Sequence, residues 1–176
     1  MNWEFAMLDF IQEHIRCGLL DFLMPRITTL GNAGIIWIAL TIIFLISKKY
    51  RTTGIVMAVA LIVDLVFCNM LIKPIVARTR PYDINTAVTL LIPKQVDYSF
   101  PSGHTAASFT AVCAMYKTGC KYWKPAAVLS VIIAFSRLYL YVHFPTDVIA
   151  GAVFGIIFGI VGFKIYMGIT RVRNDK

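Results

Sequence analysis

Charge in this chain is confined to short clusters, and the stretches between them are long and apolar. Residues 27–47, 54–72, 125–141 and 147–168 each approach the roughly 20 mostly apolar residues that cross a bilayer, and residues 103–117 form a shorter segment of the same kind. In lipid the backbone must satisfy its own hydrogen bonds, so a segment of this type spans as a helix. Of the 176 residues, 59% are hydrophobic and 15% charged, against about 25% charged in a typical soluble domain. The expected fold is therefore all-α: a multi-pass membrane helix bundle of five spans preceded by an N-terminal helix.

That N-terminal part differs from the rest. Asp9, Gln12, Glu13 and Arg16 recur at helical spacing, with Trp3, Met7, Leu8, Ile11, Ile15 and Leu19 supplying apolar surface. Residues 3–23 read as an amphipathic helix lying at the interface, within an N-terminal block 1–26. An imperfect sixth span is the alternative. Glu4 and Asp9 stand where a cleavable leader would carry basic residues, so internal helices are expected to direct insertion. The whole chain, 1–176, reads as one domain. Residues 73–102 form its long loop, an active-site loop by length, with an apolar middle, Ala87–Ile92, that could touch lipid.

The net charge of +8 is distributed as short clusters between apolar runs. Basic loops facing anionic lipid account for it, and nucleic-acid binding is not expected. Lys48, Lys49 and Arg51, then Lys117, Lys121 and Lys124, then the tail with Arg171, Arg173 and Lys176 belong on the cytoplasmic side by the positive-inside rule. Loop 73–102 and turn 137–146 then emerge together on the opposite side. Cys17, Cys68, Cys113 and Cys120 form no CxxC pair and read as small apolar residues. Gly151, Gly155 and Gly159 recur every fourth residue and predict close helix packing within one bundle.

Three ordered motifs lie at the edges of these apolar segments: Lys73 to Arg80-Pro81, Pro101-Ser102-Gly103-His104, and Ser136-Arg137 followed by His143 and Asp147. Charge is costly in a membrane chain, so such clusters mark a site. His143 precedes Pro145, which suits the first turn of a helix. Asp147, four residues after His143, could accept a hydrogen bond from one imidazole nitrogen, fixing the tautomer and leaving the other nitrogen to attack. A solvated histidine beside a helix-stabilising aspartate is the plainer alternative for that pair. Ser102 is a plausible N-cap, Gly103 allows close approach of an anion, and His104 would sit beside it as a proton donor. Lys73, Arg80 and Arg137 can neutralise phosphate oxygens and transition-state charge. Interfacial snorkelling accounts for Arg78 and Lys94.

Taken together, the motifs resemble the type 2 phosphatidic acid phosphatase (PAP2) family, related to vanadium haloperoxidases, whose signature is K-x6-R-P, P-S-G-H and S-R-x5-H-x3-D. Every signature position is matched, over residues 73–147. The resemblance implies a membrane lipid phosphatase with His143 as nucleophile forming a phosphohistidine, Asp147 orienting it, and His104 as general acid. It implies Lys73, Arg80, Ser102, Gly103 and Arg137 as phosphate-binding residues, with no metal and no cofactor. The expected partners are a lipid phosphate or diphosphate substrate and membrane lipids; the oligomeric state is not legible. Undecaprenyl diphosphate is placed first, from the outward-facing site and the family analogy. Phosphatidylglycerophosphate or phosphatidate is the alternative, haloperoxidase chemistry a remote one, and a non-enzymatic lipid-phosphate binding or transport protein a third class. Asp64 lies nine residues before Lys73, roughly 13 Å along a helix, and is expected to make a structural hydrogen bond with help from Asn69. His14 is expected to be interfacial.

Overall fold

A computed structural model describes residues 3–174. The domain limits above include residues 1, 2, 175 and 176, which lie outside the described part, as does Lys176 of the basic tail. Among the described residues the chain is all-helical. Helix α1 (Trp3–Phe10) continues into a π-helical turn, Ile11–Ile15, and α2 is Gly18–Leu30. Helices α3 (Ile35–Ile46) and α4 (Arg51–Asp64) form a hairpin, and α4 runs on through a π-helical stretch, Leu65–Ile72, into α5 (Lys73–Val76). Short α6 (Pro81–Ile84), then α7 (Gly103–Lys117), α8 (Trp123–Tyr139) and α9 (Pro145–Asn174) complete the chain.

Helix α7 is the axis of the bundle, packed against α4, α8 and α9. Its buried residues are small: Thr105, Ala106, Ser108, Thr110, Ala111, Cys113 and Ala114. Small side chains let neighbouring helices come close, and the glycine stripe of α9 uses this. A Cβ at Gly155 would lie 2.4 Å from Ala106 O, and one at Gly159 would lie 2.5 Å from Cys113 Cβ. The stripe is therefore an intrachain seam, as its spacing indicated. Around it, Trp37, Val56, Met57, Met115 and Ile133 form one core cluster. Buried Trp37 donates Nε1–H to Ser108 Oγ at 2.9 Å, which satisfies its polar handle.

Among the described residues, two helical stretches are long and apolar enough to cross a membrane, Arg51–Ile84 and Pro145–Val172. The pair α2 with Asn32–Ile46 gives a third if counted as one bent span. Helices α7 and α8 have 15 and 17 residues, short of the roughly 20 that cross a bilayer. α7 is sheathed by other helices, so protein contact rather than lipid sets its composition.

Three sequence expectations change. The single span expected over 27–47 is broken: α2 and α3 meet at a 47° bend, where Ala33 and Gly34 adopt φ of 49° and 67°. The N-terminal helix ends at Ile15 rather than near residue 23. It is docked on protein, with Leu8 fully buried, and its polar stripe is used in that docking. Tyr141 Oη donates to Asp9 Oδ1 at 2.6 Å and Gln12 Nε2 donates to Tyr139 O at 2.8 Å, while His14 stays exposed and stacks on Phe10. Finally, Val88, Leu90, Leu91 and Ile92 pack on a second cluster built from Tyr82, Leu138, Val142 and Phe144. The apolar middle of the loop is thus partly buried on protein.

The molecule has two poles. At one, the turns carrying Lys48–Arg51 and Lys117–Lys124 meet, with Thr118 Oγ1 donating to Thr53 Oγ1 at 3.0 Å. At the other, the three motifs converge.

Candidate active site

Lys73 and Arg80 reach one point because the chain reverses between them. Lys73 opens α5, Ala77 ends it in the left-handed region, and Arg80 precedes Pro81 at the start of α6. Both cations are buried, at 5% and 3% exposure. Both pair with the same carboxylate, Asp97: Lys73 Nζ with Oδ2, and Arg80 Nη2 with Oδ1 at 2.6 Å. Arg80 also donates Nε–H to Asp97 O at 2.8 Å and Nη1–H to Val142 O at 2.7 Å. Burial would raise the Asp97 pKa, but its bonds and charge contacts with Lys73 and Arg80 outweigh this and hold it at about 2. Asp97 is thus an anion at neutral pH, tethered across the two cations of the first motif.

The S-R-x5-H-x3-D spacing is the end of one helix and the start of the next. Tyr141 N–H bonds to Leu138 O at 3.0 Å and Val142 N–H to Arg137 O at 3.2 Å, the paired closure of a Schellman motif, with Tyr141 at φ 58°. His143 follows, buried to 1% exposure, and Asp147 lies in the first turn of α9. Arg80 Nη1 lies 3.3 Å from His143 Nε2. Guanidinium can only donate, so Nε2 presents its lone pair and the ring proton is on Nδ1. Nδ1 faces Asp147 Oδ2 at 3.5 Å and makes no hydrogen bond, a looser contact than the spacing predicted. Burial, then the charges of Arg80, Arg137 and Lys73, push the His143 pKa well below 6.5, so the ring is neutral at pH 7.

Asp147 is held by other groups instead. Oδ2 accepts from Ser99 Oγ at 2.5 Å and from Phe144 N–H at 2.8 Å, and Oδ1 accepts from Arg78 Nη1 at 2.6 Å. Arg78 also donates to Thr146 Oγ1 at 2.7 Å and to Glu4 Oε2 at 2.6 Å, and its guanidinium lies over the Phe144 ring at 3.9 Å. The snorkelling reading of Arg78 is therefore wrong: its charge is used inside the protein, joining α1 to the start of α9. Lys94 does remain at the surface, with 63% of its side chain exposed, paired with Asp83.

The middle motif starts α7. Ser102 occupies the N-cap position without making the side-chain cap that was expected; its Oγ accepts from Thr105 Oγ1 at 3.0 Å. A Cβ at Gly103 would meet Asn69 Oδ1 at 2.9 Å, so it is the Asn69 side chain that needs the glycine. His104 Nε2 donates to Asn32 Oδ1 at 2.9 Å, within electrostatic reach of Arg137, His143 and Lys73. The break between α2 and α3 makes this seat, since a Cβ at Gly31 would lie 2.6 Å from the His104 ring. Arg137 Nη1 bonds to Thr28 Oγ1, and Arg137 Nε is a buried donor with no partner. Asp64 Oδ1 is also buried without a partner, so the hydrogen bond expected of it is not made there.

A cavity of about 780 Å³ runs from this pole between α3 and α4. Its head is polar, with Lys73, Asp97, Gly103 and His104; its body is mainly apolar, with Ile38, Ile42, Leu61, Ile62 and Leu65, and includes Asp64. His143 does not line it, and is linked to the head through Arg80, which contacts both Asp97 and His143. The geometry fits an amphiphile with an anionic end, which no single motif specifies.

Asp97, Ser99, Asn32, Thr28, Arg78 and Glu4 were missed from the sequence. For Asp97 a signal existed: an acidic residue four positions before the Pro101 motif, beside an anion cradle. Glu4 had none, being 74 positions from its partner Arg78.

The PAP2 superfamily model matches residues 53–171. The chain is 35% identical over 152 residues to an undecaprenyl-diphosphatase of Sulfolobus acidocaldarius, covering 86% of this chain and 71% of that one. It is 30% identical over 165 residues to undecaprenyl-diphosphatase BcrC of Bacillus subtilis, covering 93% and 83%. The crystal structure of Aquifex aeolicus LpxE superposes with a TM-score of 0.78 at 28% identity, covering 93% of this chain and 96% of that one. A family match across most of the chain, joined to a fold shared along nearly its full length, means that the chain belongs to the PAP2 superfamily and is a membrane phosphatase.

Proposed function

We propose that the chain removes the terminal phosphoryl group of a lipid diphosphate, undecaprenyl diphosphate before others, through a phosphohistidine at His143. The observation that carries this reading is the His143 lone pair beside Arg80, which links it to the polar head of a cavity with a mainly apolar body. The substrate choice is supported by the two relatives at 35% and 30% identity, both undecaprenyl-diphosphatases.

In the proposed reaction the phosphoryl group displaces Asp97 from Lys73 and Arg80 and engages the unpartnered Arg137 Nε. His143 Nε2 attacks phosphorus, and the bond to the leaving oxygen breaks. His104 donates the proton that the leaving lipid monophosphate takes up. His104 then accepts a proton from water, which attacks phosphorus and breaks the N–P bond, releasing inorganic phosphate. Lys73, Arg80, Ser102, Gly103 and Arg137 stabilise the charge on the transferring group. Asp147, fixed by Arg78 and Ser99, keeps the proton on Nδ1.

The reading includes a bundle of five spans with the N-terminal helix docked at the motif pole, in the cell membrane. In this reading the opposite pole faces the cytoplasm and the site faces outward, which the exposed basic turns support by the positive-inside rule. A substrate panel in detergent tests the function. Undecaprenyl diphosphate should release phosphate faster than phosphatidylglycerophosphate or phosphatidate, and rapid cleavage of phosphatidate with none of the diphosphate would sink the substrate assignment.

A further inference from the structure

Asp97 sits where the chemistry needs a phosphate. Its carboxylate bridges Lys73 and Arg80, and the other arm of that Arg80 lies 3.3 Å from His143 Nε2. Asp97 lines the cavity, whereas His143 is buried and reached from it through Arg80, which contacts both. Its backbone carbonyl is fixed by Arg80 Nε at 2.8 Å, but 48% of its side chain is exposed, so the carboxylate can swing out while the loop stays in place.

We infer that Asp97 is a specificity residue, an internal anion that occupies the phosphate seat between turnovers and yields it to a dianionic terminal phosphoryl group. The inference rests on the proposed reading that phosphate binds Lys73 and Arg80. Its logic is charge arithmetic. A carboxylate carries one negative charge, a terminal phosphoryl group close to two at neutral pH, and a phosphodiester one. A diester that displaces Asp97 exchanges one charge for one, against buried cations that were already paired. A terminal phosphoryl group adds a further charge to a site that also holds an orphaned Arg137 donor. Membranes are made largely of phosphodiester lipids, so a bare cation cluster at the head of a lipid-sized cavity would be filled by them. Asp97 removes that affinity without removing the cations. It also competes with the inorganic phosphate left after turnover and so favours its release.

The test uses the purified full chain in detergent, wild type beside Asp97→Asn, Asp97→Ala and Asp97→Glu. Phosphate release from a prenyl diphosphate is titrated with two inhibitors, inorganic phosphate and phosphatidylglycerol, a diester. Losing a competitor held by charge-assisted bonds should lower both inhibition constants by about tenfold or more in the Asn and Ala variants. KM for the diphosphate should fall too, since the substrate displaces the same carboxylate, and Asp97→Glu should stay near wild type. Thermal unfolding with added phosphate gives a readout independent of turnover: the Asn and Ala variants should gain more stabilisation than wild type. Inhibition constants unchanged or raised in both neutral variants would overturn the inference, as would failure of both to fold, which would make Asp97 a structural clamp. A wild-type chain that cleaves none of the lipids, yet shows the variant-dependent phosphate stabilisation, would retire the proposed reaction and leave Asp97 as the anion competitor.

Discussion

Two helices of the bundle end in the same way at opposite poles. After α7, Gly119 N–H bonds to Tyr116 O at 3.0 Å and Cys120 N–H to Met115 O at 2.9 Å, with Gly119 at φ 68°. After α8 the same closure has Tyr141 at φ 58°. Glycine takes this conformation freely, whereas a side chain there costs about 1–2 kcal/mol. The cost at Tyr141 is offset by what its hydroxyl does, donating to Asp9 of α1 at 2.6 Å and accepting from Asn85 of the long loop at 3.2 Å. The same contrast holds for charge. Lys48, Lys49, Arg51, Lys117, Lys121 and Lys124 are all exposed, while Lys73, Arg80 and Arg137 are buried. One pole simply turns the chain in water; the other spends backbone strain and ion pairing on holding a histidine still.

Replacements at matched positions should therefore have unequal effects. The largest is expected at Asp147. Asp147→Asn removes the charge that Arg78 and the His143 Nδ1 proton face, and turnover in detergent should fall about 10³–10⁴-fold; a fall of less than tenfold would mean that His143 is oriented by something else. Arg78→Ala leaves Glu4 and Asp147 without their shared cation, and unfolding should register a loss of about 3 kcal/mol. Lys94→Ala, which breaks an exposed pair on the same loop, should leave the unfolding midpoint in place, and equal effects at the two sites would erase the distinction between buried and solvated ion pairs. Tyr141→Phe keeps the strained backbone and deletes both hydroxyl bonds, for a loss of about 1–3 kcal/mol. Gly119→Ala, which only adds a Cβ at positive φ, should cost about 1 kcal/mol. Smallest of all, Lys121→Ala should change neither turnover nor midpoint measurably.

The legible parts of this molecule were those written locally. Helical apolar runs gave α3, α4, α7, α8 and α9, the Gly151-Gly155-Gly159 stripe gave the seam against α7, and the motif spacings put Lys73, His104, Arg137 and His143 at one pole. Long-range pairing was not legible. Nothing periodic marks Glu4 as the partner of Arg78 or Asn32 as the partner of His104, because such contacts are made by tertiary packing alone. The bend between α2 and α3, at Ala33 and Gly34, was hidden by the apolar character on both sides of it. The docking of α1 was hidden because a polar stripe looks the same whether water or another helix receives it.

The central claim is that His143 carries the phosphoryl group during turnover. Rapid acid-free quenching of the purified chain with a terminally labelled prenyl diphosphate measures this most directly. The account predicts an acid-labile, alkali-stable label on His143 in the wild-type chain and none in His143→Ala, which should not turn over. Label on another residue, or continued phosphate release by His143→Ala, would contradict it.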